Sequence, residues 1–141
     1  MSQLVNAFYH HLEEVKTADL SSEALGWAVG KAEGLDVFLA PPEYGNPWRV
    51  FARYSYTVTE HTKRYNPWED WALGGPIIDR LRVDLSPPPV IDTNNEIGWQ
   101  ARPDDGRPFW HSGGTALIAA CRAVVAANLG DTVQVPKELM P

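Results

Sequence analysis

Tyr65-Asn66-Pro67-Trp68-Glu69-Asp70-Trp71-Ala72-Leu73-Gly74-Gly75-Pro76-Ile77-Ile78-Asp79-Arg80 puts two tryptophans, two acids and a Gly-Gly-Pro break within one short stretch. A connecting loop needs only a turn-former and polar filler. Large apolar rings beside a break in the backbone either close a core or build a binding surface. Trp68 to Leu73 reads as one helical turn, Gly74-Gly75 as a hinge that ends it, and Pro76 as the first residue of a new helix, where its missing N–H is not needed. Ile77, Ile78 and Leu81 give that helix an apolar face.

On the N-terminal side, Val50, Ala52, Tyr54, Tyr56 and Val58 alternate with Phe51, Arg53, Ser55, Thr57 and Thr59, the clearest strand pattern in the chain. The polar run Glu60 to Arg64 ends it. Asp36 to Ala40 reads as a shorter strand closed by Pro41-Pro42, and Pro42 to Pro47 as a loop. On the other side, Val83 and Leu85 form a strand stopped by Pro87-Pro88-Pro89, Val90-Ile91 a brief one, and Ile97, Trp99 and Ala101 a third. Asp104-Asp105-Gly106 turns the chain, and Phe109-Trp110 is a short apolar piece.

Three helices complete the pattern. Leu4, Phe8, Leu12 and Val15 predict an N-terminal amphipathic helix over residues 3–16. Leu25, Ala28, Val29 and Ala32 predict a second over 21–33, capped by Ser21 or Ser22 and stopped by Gly34. Residues 116–129 form the longest and most apolar helix signal, with Thr115 as its N-cap and Gly130 as its stop. A helix so apolar sits centrally. Val133 and Val135 suggest a last edge strand.

The 141 residues fit one domain, 1–141, large enough for a real core. With 44% hydrophobic and 21% charged residues and no apolar run of membrane-spanning length, no membrane partner is expected. The single cysteine, Cys121, excludes an internal disulfide, so a reducing cytoplasm is the simplest compartment. A net charge of −6 argues against long nucleic acid, whose phosphates need a basic footprint. It leaves room for one small anion held by a local arginine or a helix end. Six tryptophans favour faces where a ring meets a partner.

Three segments resemble the NinX-like proteins of bacteriophages and prophages. Ala24-Leu25-Gly26-Trp27-Ala28-Val29-Gly30-Lys31-Ala32-Glu33-Gly34 is similar to that family's opening helix. Tyr65 to Asp79 is similar to its central motif of Pro, Asp-Trp and Gly-Gly-Pro-Ile-Ile. Gly114 to Arg122, followed by Gly130-Asp131-Thr132-Val133, resembles its second helix. The likeness covers most of residues 20–136. Trp68-Glu69 stand where the family pattern has Ser-Thr, Ala116 replaces a proline, and residues 44–61 read as an inserted hairpin. The resemblance implies a phage or prophage origin, hence a bacterial host, and an α+β fold, and leaves activity to the residues.

Those residues give a candidate ligand face. Ser112-Gly113-Gly114-Thr115 opens a long helix and offers free N–H groups to a phosphate or carboxylate, or simply caps and packs. Without Gly-Lys-Ser/Thr there is no nucleotide triphosphatase loop. Trp68, Trp71, Trp99 and Trp110 offer ring faces to a flat ligand: Trp71 suits the core, and Trp68 suits a ligand. Asp70 either caps the short helix or pairs with Arg122, which otherwise offers a fork to an anion. Gly74 and Gly75 hinge the two parts. His111 beside Ser112 makes no nucleophile–base pair by adjacency, Cys121 sits in the most apolar helix, and neither His10-His11 nor Glu60-His61 with His111 has a metal-ligand spacing.

The expectation is therefore an α+β fold, with an antiparallel sheet of about four or five strands packed on helices 21–33 and 116–129. The chain is expected to be a non-catalytic phage accessory protein without metal or cofactor. It would hold a small anionic, nucleotide-like ligand between the Trp68–Pro76 segment and the Gly113-Gly114 helix start. The alternatives are a module that binds a host protein or a second copy of the chain as a homo-oligomer, and a small hydrolase using His111, Ser112 or Asp70.

Overall fold

A computed structural model describes residues 11–55, 59–91 and 97–140. Its described elements run β1 Leu12–Lys16, α1 Ser22–Ala32, β2 Asp36–Ala40, β3 Arg49–Ser55, β4 Glu60–Arg64, α2 Trp71–Leu81, β5 Asp84–Ile91, β6 Ile97–Arg102, β7 His111–Gly113, α3 Ala116–Leu129 and β8 Thr132–Pro136. The fold is α+β. In place of one sheet of four or five strands the described residues form three small antiparallel sheets, β1–β8, β2–β3–β4 and β5–β6–β7.

Helix α3 is the centre, as its composition requires. Ala119, Ala123 and Val125 are fully buried, and alanines on several sides let α1, β6 and β7 approach closely. The Thr115 hydroxyl accepts from the Ile118 N–H at 3.1 Å, and Gly130 ends the helix at a φ of +93° that favours glycine. Helix α1 packs on α3, buried from Ala24 to Gly30, and stops at Glu33 with Gly34 at φ +71°.

The N-terminal helix expected over 3–16 is corrected for its last turn; residues 3–10 lie outside the described ones. Leu12 to Lys16 is a strand, pairing from Leu12 with Pro136 to Lys16 with Thr132. Val133 and Val135 bury one face of β8, whose other polar edge needs a partner, and only Val15 of β1 enters the core. Long-range pairing overrides the local helical spacing. The Thr17 hydroxyl then fastens this end by donating to the Gly130 carbonyl at 2.6 Å.

Part of the stretch read as an inserted hairpin, 44–61, packs into the core. Strand β3 is the middle of its sheet, and Val50 and Ala52 are fully buried beneath it. The polar run expected to end that strand is β4, which pairs Phe51 with Arg64 through Ser55 with Glu60. Strand β5 crosses the three prolines with a register shift between Ser86 and Val90, where prolines without N–H groups are tolerated.

The Gly-Gly-Pro hinge is also corrected, because one helix runs through it. Asp70 is its N-cap, accepting from the Ala72 N–H at 2.9 Å, and α2 continues to a left-handed Arg82. Two glycines each weaken a helix by about 1 kcal/mol, and an interior proline costs about 3. Tertiary packing offsets that cost. Gly74 is buried against α3, while Ala72, whose carbonyl has no N–H to accept at Pro76, and Pro76 itself are exposed residues. Among the described residues no helix is long and apolar enough to cross a membrane.

Candidate functional site

The Trp68–Pro76 segment and the start of α3 do meet, but as a closed contact. Gly74 lies against Leu117, and the gap among Val29, Ile77, Ile78 and Cys121 is about 10 Å³, at the lower limit for one water. The two tryptophans exchange the roles expected of them. Trp68 is 7% exposed, its ring lying over Gly26 and under the Arg64 guanidinium at 5.5 Å. Trp71 is 56% exposed. The turn at Pro67-Trp68-Glu69 drives the first ring inward, whereas Trp71, first in α2, falls on an exposed face of the helix. Gly75 has open room around it.

The α3 start carries a cap of its own. Thr115 takes the Ile118 N–H with its side chain and the Ala119 N–H with its carbonyl. Gly113 is buried so tightly that a Cβ there would fall 2.5 Å from the Ala119 nitrogen. Gly114 and Ser112 are exposed, and the Ser112 carbonyl accepts from Arg122 Nη1 at 2.9 Å. Arg122 also donates from Nε to the Leu20 carbonyl at 3.0 Å. Its guanidinium thus ties two backbone segments to α3, and burial pulls its pKa down. Asp70 spends its carboxylate on the α2 cap. Cys121 is buried, and desolvation pushes its thiol up to about 12, which keeps it protonated and inert.

A concave site lies elsewhere, where the β6–β7 connection passes the C-terminal half of α3. The cavity there is about 230 Å³. Pro103, Phe109, Ala126 and Ala127 supply its apolar surface; Asp105, Arg107, His111 and Asp131 supply its polar groups. Pairing of Ala101 with His111 brings the loop back onto the helix, and Gly130 turns the chain so that Asp131 reaches the same place. The Arg107 N–H donates to Asp105 Oδ1 at 3.0 Å, and Arg107 Nε sits 3.2 Å from Asp105 Oδ2, which orders the rim.

His111 is the titratable centre of this cavity. Burial holds its pKa below the ordinary 6.5; Asp131 and Asp105 pull it back up, and Arg107 pushes it down. It is neutral at pH 7, with one nitrogen to donate and one to accept. His111 and Ser112 are successive residues of a strand, so their side chains leave opposite faces. Phe109 is 63% exposed, and next to it Trp110 is 42% exposed beneath the Arg102 guanidinium, 4.7 Å from the ring centre. Among the described residues no three metal-binding side chains cluster.

Of the residues expected from sequence to hold a ligand, none lines this cavity. His111, considered only as a hydrolase base, does. Asp105 reads as a turn residue and Phe109 as part of a short apolar piece. The available signal is the aromatic pair Phe109-Trp110, outside any period and separated from the Asp105-Gly106 turn only by Arg107-Pro108.

Residues 16–128 match the protein family described as Bacteriophage P22, NinX. Among curated proteins none matches. Since the family match spans most of the chain and includes both α1 and the Asp70-capped helix through Gly-Gly-Pro, the protein belongs to the NinX family of phage proteins.

Proposed function

We propose that this phage accessory protein works by binding rather than by catalysis, and that it binds at the Phe109–His111 cavity. The observation that supports this reading is a half-apolar cavity holding a neutral imidazole, two carboxylates and an exposed ring. At about 230 Å³ it falls below the roughly 300–1,000 Å³ of drug-sized sites, so it suits a single flat heterocycle. Phe109 would stack on such a ring, His111 would donate or accept, and Asp131 would accept from a ring N–H. A nucleobase-like group meets these demands. The anionic part of the expected ligand does not, because two carboxylates against one guanidinium leave the cavity negative.

The test is a thermal-shift and NMR titration with free nucleosides, the matching nucleotides, and sugar phosphates. The nucleosides should raise Tm more than the nucleotides, and Phe109→Ala and Asp131→Asn should abolish the rise while Trp71→Ala keeps it. No shift with any nucleoside at millimolar concentration, or shifts indifferent to Phe109, would sink the reading.

A second reading rests on Trp110, exposed beside Phe109. Paired aromatics with a flanking arginine are the residues that anchor protein interfaces. In that case the cavity receives a side chain of a host protein or of a second copy. Light scattering after size exclusion, repeated with Phe109→Ala, would reveal a homo-oligomer built on this face.

A further inference from the structure

We propose that the outer face of the β2–β3–β4 sheet binds a short single-stranded nucleic acid, independently of the cavity. Alternation puts Val50 and Ala52 of β3 in the core and sends Arg49, Phe51 and Arg53 to the opposite face. Phe38 of β2 lies directly across from Phe51, and the two rings stack with centroids 6.0 Å apart and planes 27° from parallel. Arg49 lies over the Phe51 ring at 5.4 Å, and Arg53 over the Phe38 ring at 5.5 Å. All four side chains are only half-buried.

This is a layer of flat groups, two benzene rings and two guanidinium planes, on a sheet that α1 supports from behind. Unstacked bases bind such layers because every base has a π-face, and a guanidinium plane serves as well as a ring. A duplex hides its base faces and is not a match.

Charge sets the scale of the contact. Between residues 49 and 64 the chain carries Arg49, Arg53, Lys63 and Arg64 against Glu60 alone, in a protein of net charge −6. Arg64 is committed to Glu23, and Arg53 lies 3.1 Å from Glu60 with Asp36 across the sheet. Arg49 faces Ala40 instead, and its Nε is buried without a hydrogen-bond partner among the described residues. Arg49 is in none of the ion pairs among the described residues, so its guanidinium charge is left for a phosphate. One such contact plus stacking describes a site for a few nucleotides. An acidic peptide would find too few cations here and would leave the rings unused.

The experiment is fluorescence anisotropy of the full chain with a short 5′-labelled oligodeoxyadenylate, at low and at moderate salt. Binding should be saturable and only weakly salt-dependent, with log Kd changing by about 0.7 per decade of salt for a single phosphate held. Arg49→Ala and Phe51→Leu should each weaken it at least ten-fold with Tm retained, and Arg49→Lys should not restore it, since an ammonium has no plane to stack. Phe109→Ala should leave it unchanged, which separates this site from the cavity. Absence of binding at low salt overturns the proposal. So does competition by duplex DNA or polyglutamate equal to that by single strand, or dependence on Phe109 instead of Arg49.

Discussion

Gly74 of α2 and Leu117 of α3 touch so closely that a Cβ on the glycine would fall 2.6 Å from Leu117 Cδ2 and 2.7 Å from the Pro67 carbonyl oxygen. The neighbouring Gly75 meets nothing nearer than a Trp71 ring carbon at 3.8 Å. The two glycines of one motif therefore answer differently to the same substitution. Gly74→Ala should destabilise the fold by about 1–3 kcal/mol through overpacking. Gly75→Ala should be neutral or stabilise by up to about 1 kcal/mol, because alanine is the better helix former. Urea denaturation of both variants checks this, and equal losses would count against a helix running straight through the motif.

Trp68 and Trp71 make the same point about what a sequence can carry. Trp68→Ala should cost about 3–5 kcal/mol, since the ring fills the space over Gly26. Trp71→Ala should stay within about 0.5 kcal/mol. Chemical denaturation of each variant decides it. The pair was legible as important but not as to which ring points inward. That depends on where α2 begins, and Asp70 moves the start past Trp68. The long helix and the strand of Val50 were legible because their period belongs to their own residues. Strands β1, β4 and β7 were not, since each is short or polar and exists by pairing with a distant segment. The cavity at His111 was hidden for the same reason: its walls come from a loop and a helix end that only the sheet register brings together.

Glu23 joins three elements that no local pattern connects. Its Oε1 accepts from the Val50 N–H at 2.8 Å and from Arg64 Nη1 at 2.9 Å, while Arg64 Nη2 donates to its Oε2. The pair is partly buried and bidentate, the strong form of such contacts. Glu23→Ala should destabilise by about 2–3 kcal/mol, leaving a strand N–H and a guanidinium without their acceptor. Glu23→Gln, which can still accept from Val50, should lose less. Hydrogen exchange at the Val50 amide should quicken in the alanine variant and stay slow in the glutamine one.

The Tyr65 hydroxyl is buried without a hydrogen-bond partner among the described residues, and burial raises its pKa far above the ordinary 10. An unmet buried hydroxyl costs free energy that a phenyl ring of the same shape does not. Tyr65→Phe is therefore expected to leave stability unchanged or raise it by about 1 kcal/mol. A loss of that size in thermal unfolding would mean that the hydroxyl has a partner after all.

His111 links stability to pH with a definite sign. Its folded pKa lies below the ordinary 6.5 because burial disfavours the charged ring more than Asp131 and Asp105 favour it, and Arg107 adds to the burial. Below the ordinary value the unfolded chain takes up a proton that the folded chain does not. The contribution of neutral His111 is therefore present above about pH 6.5 and is lost as pH falls toward the lower folded value, then levels. His111→Gln keeps a polar group in the cavity without this titration. The stability difference between wild type and variant should shift against the wild type between about pH 7 and about pH 5. A ligand that accepts from neutral His111 would be held less well at the upper end of that range and better below it, whereas one that donates to it would behave oppositely. The pH profile of nucleoside binding thus reports whether the ring donates to the ligand or accepts from it, and a profile unmoved by His111→Gln would place the ligand away from this side chain.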